Sequence, residues 1–168
     1  MRHQRVFALL LAAAGAGLLA CSKDSSTGPS NDELPAALLN AYCVRDIAQL
    51  GETKSGVISS ADCNSNAIDQ SDSSYYEVYR IRVSASTLVV FDANSSFDNF
   101  LTVLRLDSHT QTTASLTVVA QNDDRAYPSN LNALASATLQ PNVDYFVSIS
   151  GYNYSQVGSY TLHIYAAN

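Results

Sequence analysis

The sequence predicts an all-β fold, an antiparallel β-sandwich of about eight strands, and three observations carry that expectation. Apolar and polar residues alternate with a period of two in one segment after another, most cleanly over Val143 to Tyr165. That period belongs to a strand with one buried face. The alternating segments are rich in Val, Ile, Tyr, Phe and Thr, and between them stand Gly, Pro, Asn and Asp, which turn a chain. No segment alternates strands with long amphipathic helices, so a parallel sheet with crossover helices is not expected. At 168 residues and 46% hydrophobic content, the chain is long enough for one domain with a real core.

The chain opens with a different composition. Arg2 and Arg5 form a short cationic leader, Val6 to Leu19 is an apolar run, and Leu18-Leu19-Ala20-Cys21 closes it. The run is short for a membrane-spanning helix and ends at small residues, so residues 1–20 read as an export signal. The four closing residues resemble the lipobox of bacterial lipoproteins, in which cleavage falls before the cysteine and its thiol, here that of Cys21, carries a diacylglycerol. An ordinary secretory signal with a coincidental Cys21 is the alternative. The lipoprotein resemblance, with Ser22 rather than Asp after the cysteine, implies a cell-envelope protein at the outer membrane of a two-membrane cell. Acyl chains hold a protein at a bilayer by about 0.8 kcal/mol per buried methylene.

Processing shifts the charge. Arg2 and Arg5 are two of nine basic residues, so cleavage leaves seven against fifteen acidic ones and a mature chain near −8. No basic patch exists, which argues against nucleic acid and against electrostatic docking on anionic lipid. The membrane partnership then rests on the lipid.

Residues 21–33 are small and polar, with Gly28-Pro29, and read as a flexible linker. Residues 34–50 read as an N-terminal extension packed on the sandwich. Leu34, Leu38 and Leu39 suit a short helix with Asn31 or Asp32 as cap and Pro35 in its first turn. Cys43 to Leu50 suits an extended piece, equally a first edge strand. With Cys21 lipidated, Cys43 and Cys63 remain, an even pair in an exported chain. A disulfide between them closes a loop of about 20 residues and contributes roughly 3 kcal/mol in the chain-entropy model. Free thiols in catalysis or metal binding are the alternative, with no histidine near either in sequence.

The sandwich is expected over residues 51–168. Thr53 to Ser59 is a short strand, and Asp62 to Ser74 a polar loop. Tyr75 to Val83 places Tyr79, Ile81 and Val83 inward, with Arg80 and Arg82 outward. Thr87 to Asp92 is strongly β-forming and ends at Asn94-Ser95-Ser96. Phe100 to Leu106 is apolar on both faces, through Leu101 and Val103 on one and Leu104 and Leu106 on the other, as in a strand covered on both sides. Leu116 to Gln121 and Ala133 to Leu139 follow, separated by a polar loop with Pro128. Last come Tyr145 to Ser150 and Tyr160 to Tyr165, which read as a long-looped β-hairpin around Gly151 to Val157.

The order of several motifs is familiar. Gly56-Val57-Ile58 precedes Asp62-Cys63. Tyr79-Arg80-Ile81, Ser96-Phe97-Asp98-Asn99-Phe100-Leu101 and Asn122-Asp123-Asp124 follow, then Pro141 through Tyr145-Phe146-Val147-Ser148-Ile149, and Gly158-Ser159-Tyr160-Thr161-Leu162. This series resembles the bacterial pre-peptidase C-terminal domain over about Gly51 to Asn168. The resemblance implies a β-sandwich of jelly-roll type. Such domains usually follow a secreted protease catalytic domain, and some relatives bind collagen or polysaccharide. Since no catalytic domain precedes this one, the resemblance implies a non-catalytic binding or accessory role. The family strand often carries Asp two residues before its inward aromatic; here Glu77 precedes Tyr79.

Candidate sites are few. Asp98 and Asn99 suit a tight strand entry, their side chains accepting backbone N–H groups while Phe97 and Leu101 anchor it to the core. Asn122-Asp123-Asp124 suits a similar turn. The functional alternative is a Ca²⁺ site using Asp98, Asp123 and Asp124, because adjacent carboxylates repel unless neutralised and hard cations want oxygen ligands. Arg125 is a nearer neutraliser. Asp62, Asn64 and Asn66 mimic the opening of a calcium loop, but Ala67 and Ser73 stand where its Gly and Glu belong. Only His109 and His163 survive processing, and no nucleophile elbow, zinc helix or phosphate loop is present, so no enzyme is expected. A triad assembled from distant positions is still open at this point. Tyr127, Tyr152 and Tyr154 are aromatics in polar loops, as a site for extracellular polysaccharide or protein tends to show. Rings folded back over the sandwich edge are the alternative. The reading is a non-catalytic, lipid-anchored binding module, with a Ca²⁺-dependent adhesion module or a hydrolase accessory as the competing roles.

Overall fold

The computed structural model describes residues 33–65 and 72–167. The export signal, Cys21, nearly all of the linker and Asn66 lie outside the described residues. Within them stand a six-residue helix, α1 (Ala36–Ala41), and ten strands: β1 (Val44–Ala48), β2 (Glu52–Ile58), β3 (Cys63–Asn64), β4 (Tyr75–Ile81), β5 (Thr87–Ser95), β6 (Asn99–His109), β7 (Ala114–Asn122), β8 (Leu134–Leu139), β9 (Tyr145–Gly151) and β10 (Gly158–Ala166).

The strands form two sheets. One runs β2-β10-β5-β8. The other runs β4-β9-β6-β7, with β1 and β3 added at the free edge of β4. Chain order therefore alternates between the sheets, and only β6 and β7 are both consecutive and paired among the eight sandwich strands. This is the jelly-roll order. Eight strands match the eight alternating segments of the sequence; β1 is the edge strand that Cys43 to Leu50 suited, and β3 is an addition.

The final pair is not a hairpin. β9 lies between β4 and β6 in one sheet, while β10 lies between β2 and β5 in the other. Tyr145, Val147 and Ile149 face Tyr160, Leu162 and Ile164 through the core rather than lying beside them. Alternation tells which face of a strand is buried, not which strand is its neighbour, and the turn-rich segment after Gly151 crosses from one layer to the other.

The core between the sheets is filled by the inward rows, among them Tyr79, Ile81, Phe91, Leu101, Val103, Leu139, Val147 and Leu162. A second apolar cluster covers the outer face of the six-stranded sheet. Leu34, Leu38 and Tyr42 from the N-terminal extension pack there on Tyr76, Val78 and Phe146, with Leu104 and Leu106 partly buried beside them. Tyr42 stacks on Phe146 with ring centroids 6.2 Å apart. β6 is thus covered on both faces, and so are β4 and β9. Arg80, expected outward, does lie on that outer face but is buried there. Its Nε donates to Asp144 Oδ1 at 2.6 Å, and Arg82 Nη2 donates to Oδ2 of the same buried carboxylate at 2.8 Å. A buried charge needs such partners.

The edge of β4 holds two short strands of opposite direction. β1 pairs in parallel with Val78 to Ile81, and β3 pairs antiparallel with Tyr75 and Tyr76. Glu77 falls at the seam between them. Cys43, just before β1, and Cys63, opening β3, are joined by a disulfide across that seam, which staples the extension to the sandwich.

Candidate functional site

The connections β5–β6, β7–β8 and β9–β10 all lie at one pole of the sandwich, because Asn99 pairs with Gly151 and Leu101 with Asn122. Asn99 ties the three together. It is fully buried; its Nδ2 donates to Ser95 Oγ at 2.8 Å and Asn132 Oδ1 at 2.9 Å, and its Oδ1 accepts the Ala133 N–H at 2.9 Å. The expected backbone donor comes from the β7–β8 loop, not from the strand entry itself. Phe97 is half-buried against the core and Leu101 fully buried. The Tyr152 N–H donates to the Asp98 carbonyl at 2.8 Å, which joins the β9–β10 loop to the strand entry.

Asn122-Asp123-Asp124 forms a turn. The Asp124 N–H is shared by Asn122 Oδ1 at 3.2 Å and Asp123 Oδ1 at 2.9 Å, while Asn122 Nδ2 donates to the Leu134 carbonyl at 2.8 Å. Arg125, expected beside these carboxylates, pairs with Asp92 of β5. Among the described residues no group of three or more His, Cys, Asp or Glu stands placed to hold a metal ion. Asp98, Asp123 and Asp124 are not gathered as such a group.

Two loops hold side chains out from this pole. The Ala126 N–H donates to Asn130 O at 3.1 Å and the Asn130 N–H to Ala126 O at 2.7 Å, closing a small loop with a cis Tyr127–Pro128 bond. Tyr127 is 67% exposed at its tip, and Tyr154 in the β9–β10 loop is also 67% exposed. Tyr152 is half-buried. Leu131 and Val157 add exposed apolar side chains to the same two loops. The β9–β10 loop is closed by Gln156 N–H to Asn153 O at 3.0 Å and Asn153 N–H to Gln156 Oε1 at 2.9 Å.

The other pole is where the described chain begins. Glu33 and Leu34 line a shallow pocket of about 210 Å³ with Arg82, His109 and Asp144. His109 Nδ1 meets the Thr110 carbonyl at 3.1 Å, and His163 rests against the Tyr165 ring at 4.7 Å. Among the described residues neither imidazole is hydrogen-bonded to a serine hydroxyl.

One polar cluster escaped the sequence reading. Glu77 is 5% exposed, with one oxygen on Arg45 and the other accepting from the Tyr160 hydroxyl. Tyr160 OH in turn lies 2.6 Å from Tyr79 OH. The contact passes beneath Gly56, where an added Cβ would stand 2.5 Å from the Tyr160 hydroxyl and 2.6 Å from Glu77 Oε2. Burial, then the hydrogen bond to Glu77, holds the Tyr160 hydroxyl far above the ordinary phenol value, so it stays a neutral donor. Burial likewise raises Tyr79. Two signals for this cluster were present: a carboxylate at the inward parity of Tyr79 and Ile81, and a glycine inside a strand, which marks a close approach.

No family model matches the sequence, and no curated protein is significantly similar to it. Solved structures resemble it at low identity. The pre-peptidase C-terminal domain of a Bacillus anthracis collagenase is 14% identical, covering 72% of this chain and 95% of its own, with a TM-score of 0.45. PliG of Aeromonas hydrophila, a periplasmic inhibitor of g-type lysozyme, is 9% identical over 74% of this chain and 97% of its own, with a TM-score of 0.46. CorA of Methylomicrobium album BG8, a surface-associated copper-binding protein, is 7% identical over 74% of this chain and 99% of its own, with a TM-score of 0.52. At these identities the likeness is one of fold alone.

Proposed function

We propose that this protein is a non-catalytic binding module of the cell envelope, tethered by a lipid on Cys21, that engages an extracellular polysaccharide or protein through its tyrosine-bearing pole. One observation carries the reading. The exposed apolar and aromatic side chains of two loops, Tyr127, Leu131, Tyr154 and Val157, gather at the pole opposite the one where the described chain begins. A tether on the N-terminal side thus presents those loops away from the bilayer. Exposed tyrosines in rigid, hydrogen-bonded loops offer contact area at little cost in conformational entropy. The Leu18-Leu19-Ala20-Cys21 series and the disulfide, which belongs to an oxidising compartment, support export and anchoring. Copper is not carried over from the fold neighbour that binds it, since the described residues gather no metal-ligating cluster.

The test has two arms. Purified protein is passed over immobilised polysaccharides and matrix proteins with and without Tyr127→Ala and Tyr154→Ala. Retention on at least one surface falls at least about tenfold in the double variant while the fold stays intact, and EDTA leaves the retention unchanged; equal retention refutes the pole as the site. In cells, Cys21→Ser moves the protein from the membrane fraction to the soluble one and abolishes fatty-acid labelling. An unlabelled wild-type chain refutes the anchor without touching the pole.

A further inference from the structure

β2 is an edge of the four-stranded sheet, paired there with β10 alone. Its two halves differ. At Lys54 the edge is guarded: the ammonium, on a side chain 12% exposed, reaches Asp46 of β1 at 2.7 Å and Glu52 at 2.8 Å. An inward charge of this kind blocks the addition of another strand. Over Ser55 to Val57 the strand carries no charge, and here it borders an open cleft of about 740 Å³.

The cleft is a built feature. Its far wall is the seam on β4 with the Cys43–Cys63 bridge, and Glu77 and Arg45 line it. Glu77 is fixed from both sides, by Arg45 and by Tyr160. Gly56 keeps the β2 backbone low over that contact. A bare edge above a rigid polar floor is the arrangement to which an extended peptide adds, its main chain bonding the edge and alternate side chains entering the cleft.

Charge selects the occupant. Around this edge Asp46, Glu52, Asp62 and Glu77 are set against two cations, Arg45 and Lys54, a rim net negative by two on a chain whose own net charge is −6. Opposite charge steers encounter and suppresses wrong partners. We propose that the cleft beside β2 receives an extended, basic segment of a partner protein, which adds as a strand at Ser55–Val57. The site lies on the flank of the sandwich and does not depend on the tyrosine pole.

The probe is a peptide of about eight residues alternating Lys and Val, an ordinary strand length, with a Glu-Val peptide as its opposite. Titrated into the purified protein, the basic peptide slows amide exchange within Ser55–Val57 at least about tenfold and leaves Ser136 on the opposite edge, β8, unchanged. Val57→Lys weakens its binding at least about tenfold, and Ser55→Lys repeats the measurement if the first variant folds poorly. The proposal is overturned if the acidic peptide protects β2 equally, if protection falls on β8 or the tyrosine loops instead, or if neither folded variant weakens binding. It is also overturned if β2 becomes protected on concentrating the protein alone, since the occupant is then a second copy.

Discussion

The two sheets bury themselves differently. The six-stranded sheet is covered on both faces, by the sandwich core on one and by the N-terminal extension on the other. Among the described residues the four-stranded sheet is covered on its inner face alone, and its outer row along β10, Thr161 and His163, is exposed. A side chain of either parity in β9 therefore carries stability, while in β10 only every second one does. On the proposed reading the covered sheet is scaffold, and partners meet the loops at one pole and the bare half of β2.

The largest test of that contrast is Phe146→Ala. Phe146 sits on the outer face of central β9, fully buried under Tyr42, and its loss is expected to cost about 3–5 kcal/mol in chemical denaturation. Thr161→Ala, on the outer face of central β10, stays within about 0.5 kcal/mol. Equal costs would mean that the extension does not pack as described.

Removing the staple is the next largest. Cys43→Ser opens a bridge spanning a sequence separation of 20, for an expected loss of about 3 kcal/mol. Hydrogen exchange should show α1 and β1 losing protection before the four-stranded sheet does; simultaneous loss in both sheets would dissolve the distinction between them.

The smallest effect is a titration. The hydrogen bond from Lys54, which also spans β2 and β1, holds the Asp46 carboxyl below its ordinary 3.8. A depressed folded value means that the carboxylate favours the folded state. Its contribution is full above the unfolded value and fades as pH falls through the folded one. Asp46 is well exposed, so screening keeps the effect small. Below about pH 4 the tie between the sheets at this edge loosens, and Asp46→Asn is expected to flatten that part of the acid limb slightly.

Much of the fold was legible because alternation reports parity. It marked all eight sandwich strands, the inward rows of β4, β9 and β10, and the double coverage of β6 through Leu104 and Leu106. Parity is silent on adjacency, which is why β9 and β10 read as a hairpin although they belong to different layers. It is silent too on what lies outside a sheet, so Arg80 read as solvated when the extension and Asp144 enclose it. At the candidate site, turn chemistry made the loops legible, and Asn122-Asp123-Asp124 closes as such a turn. The partner of Arg125 was not, because Asp92 comes from a strand 33 residues away. The Glu77, Tyr79 and Tyr160 cluster forms only when the two layers stack, with Tyr160 lying 83 positions beyond Glu77.

The position of β10 has a consequence for how this chain reaches its native state. It is the last described strand in sequence, yet it sits inside its sheet, flanked by β2 and β5. Until Gly158 to Ala166 has emerged, those two strands have no common neighbour and the core lacks Tyr160, Leu162 and Ile164. A sandwich of this topology closes only once β10 is in place between β2 and β5.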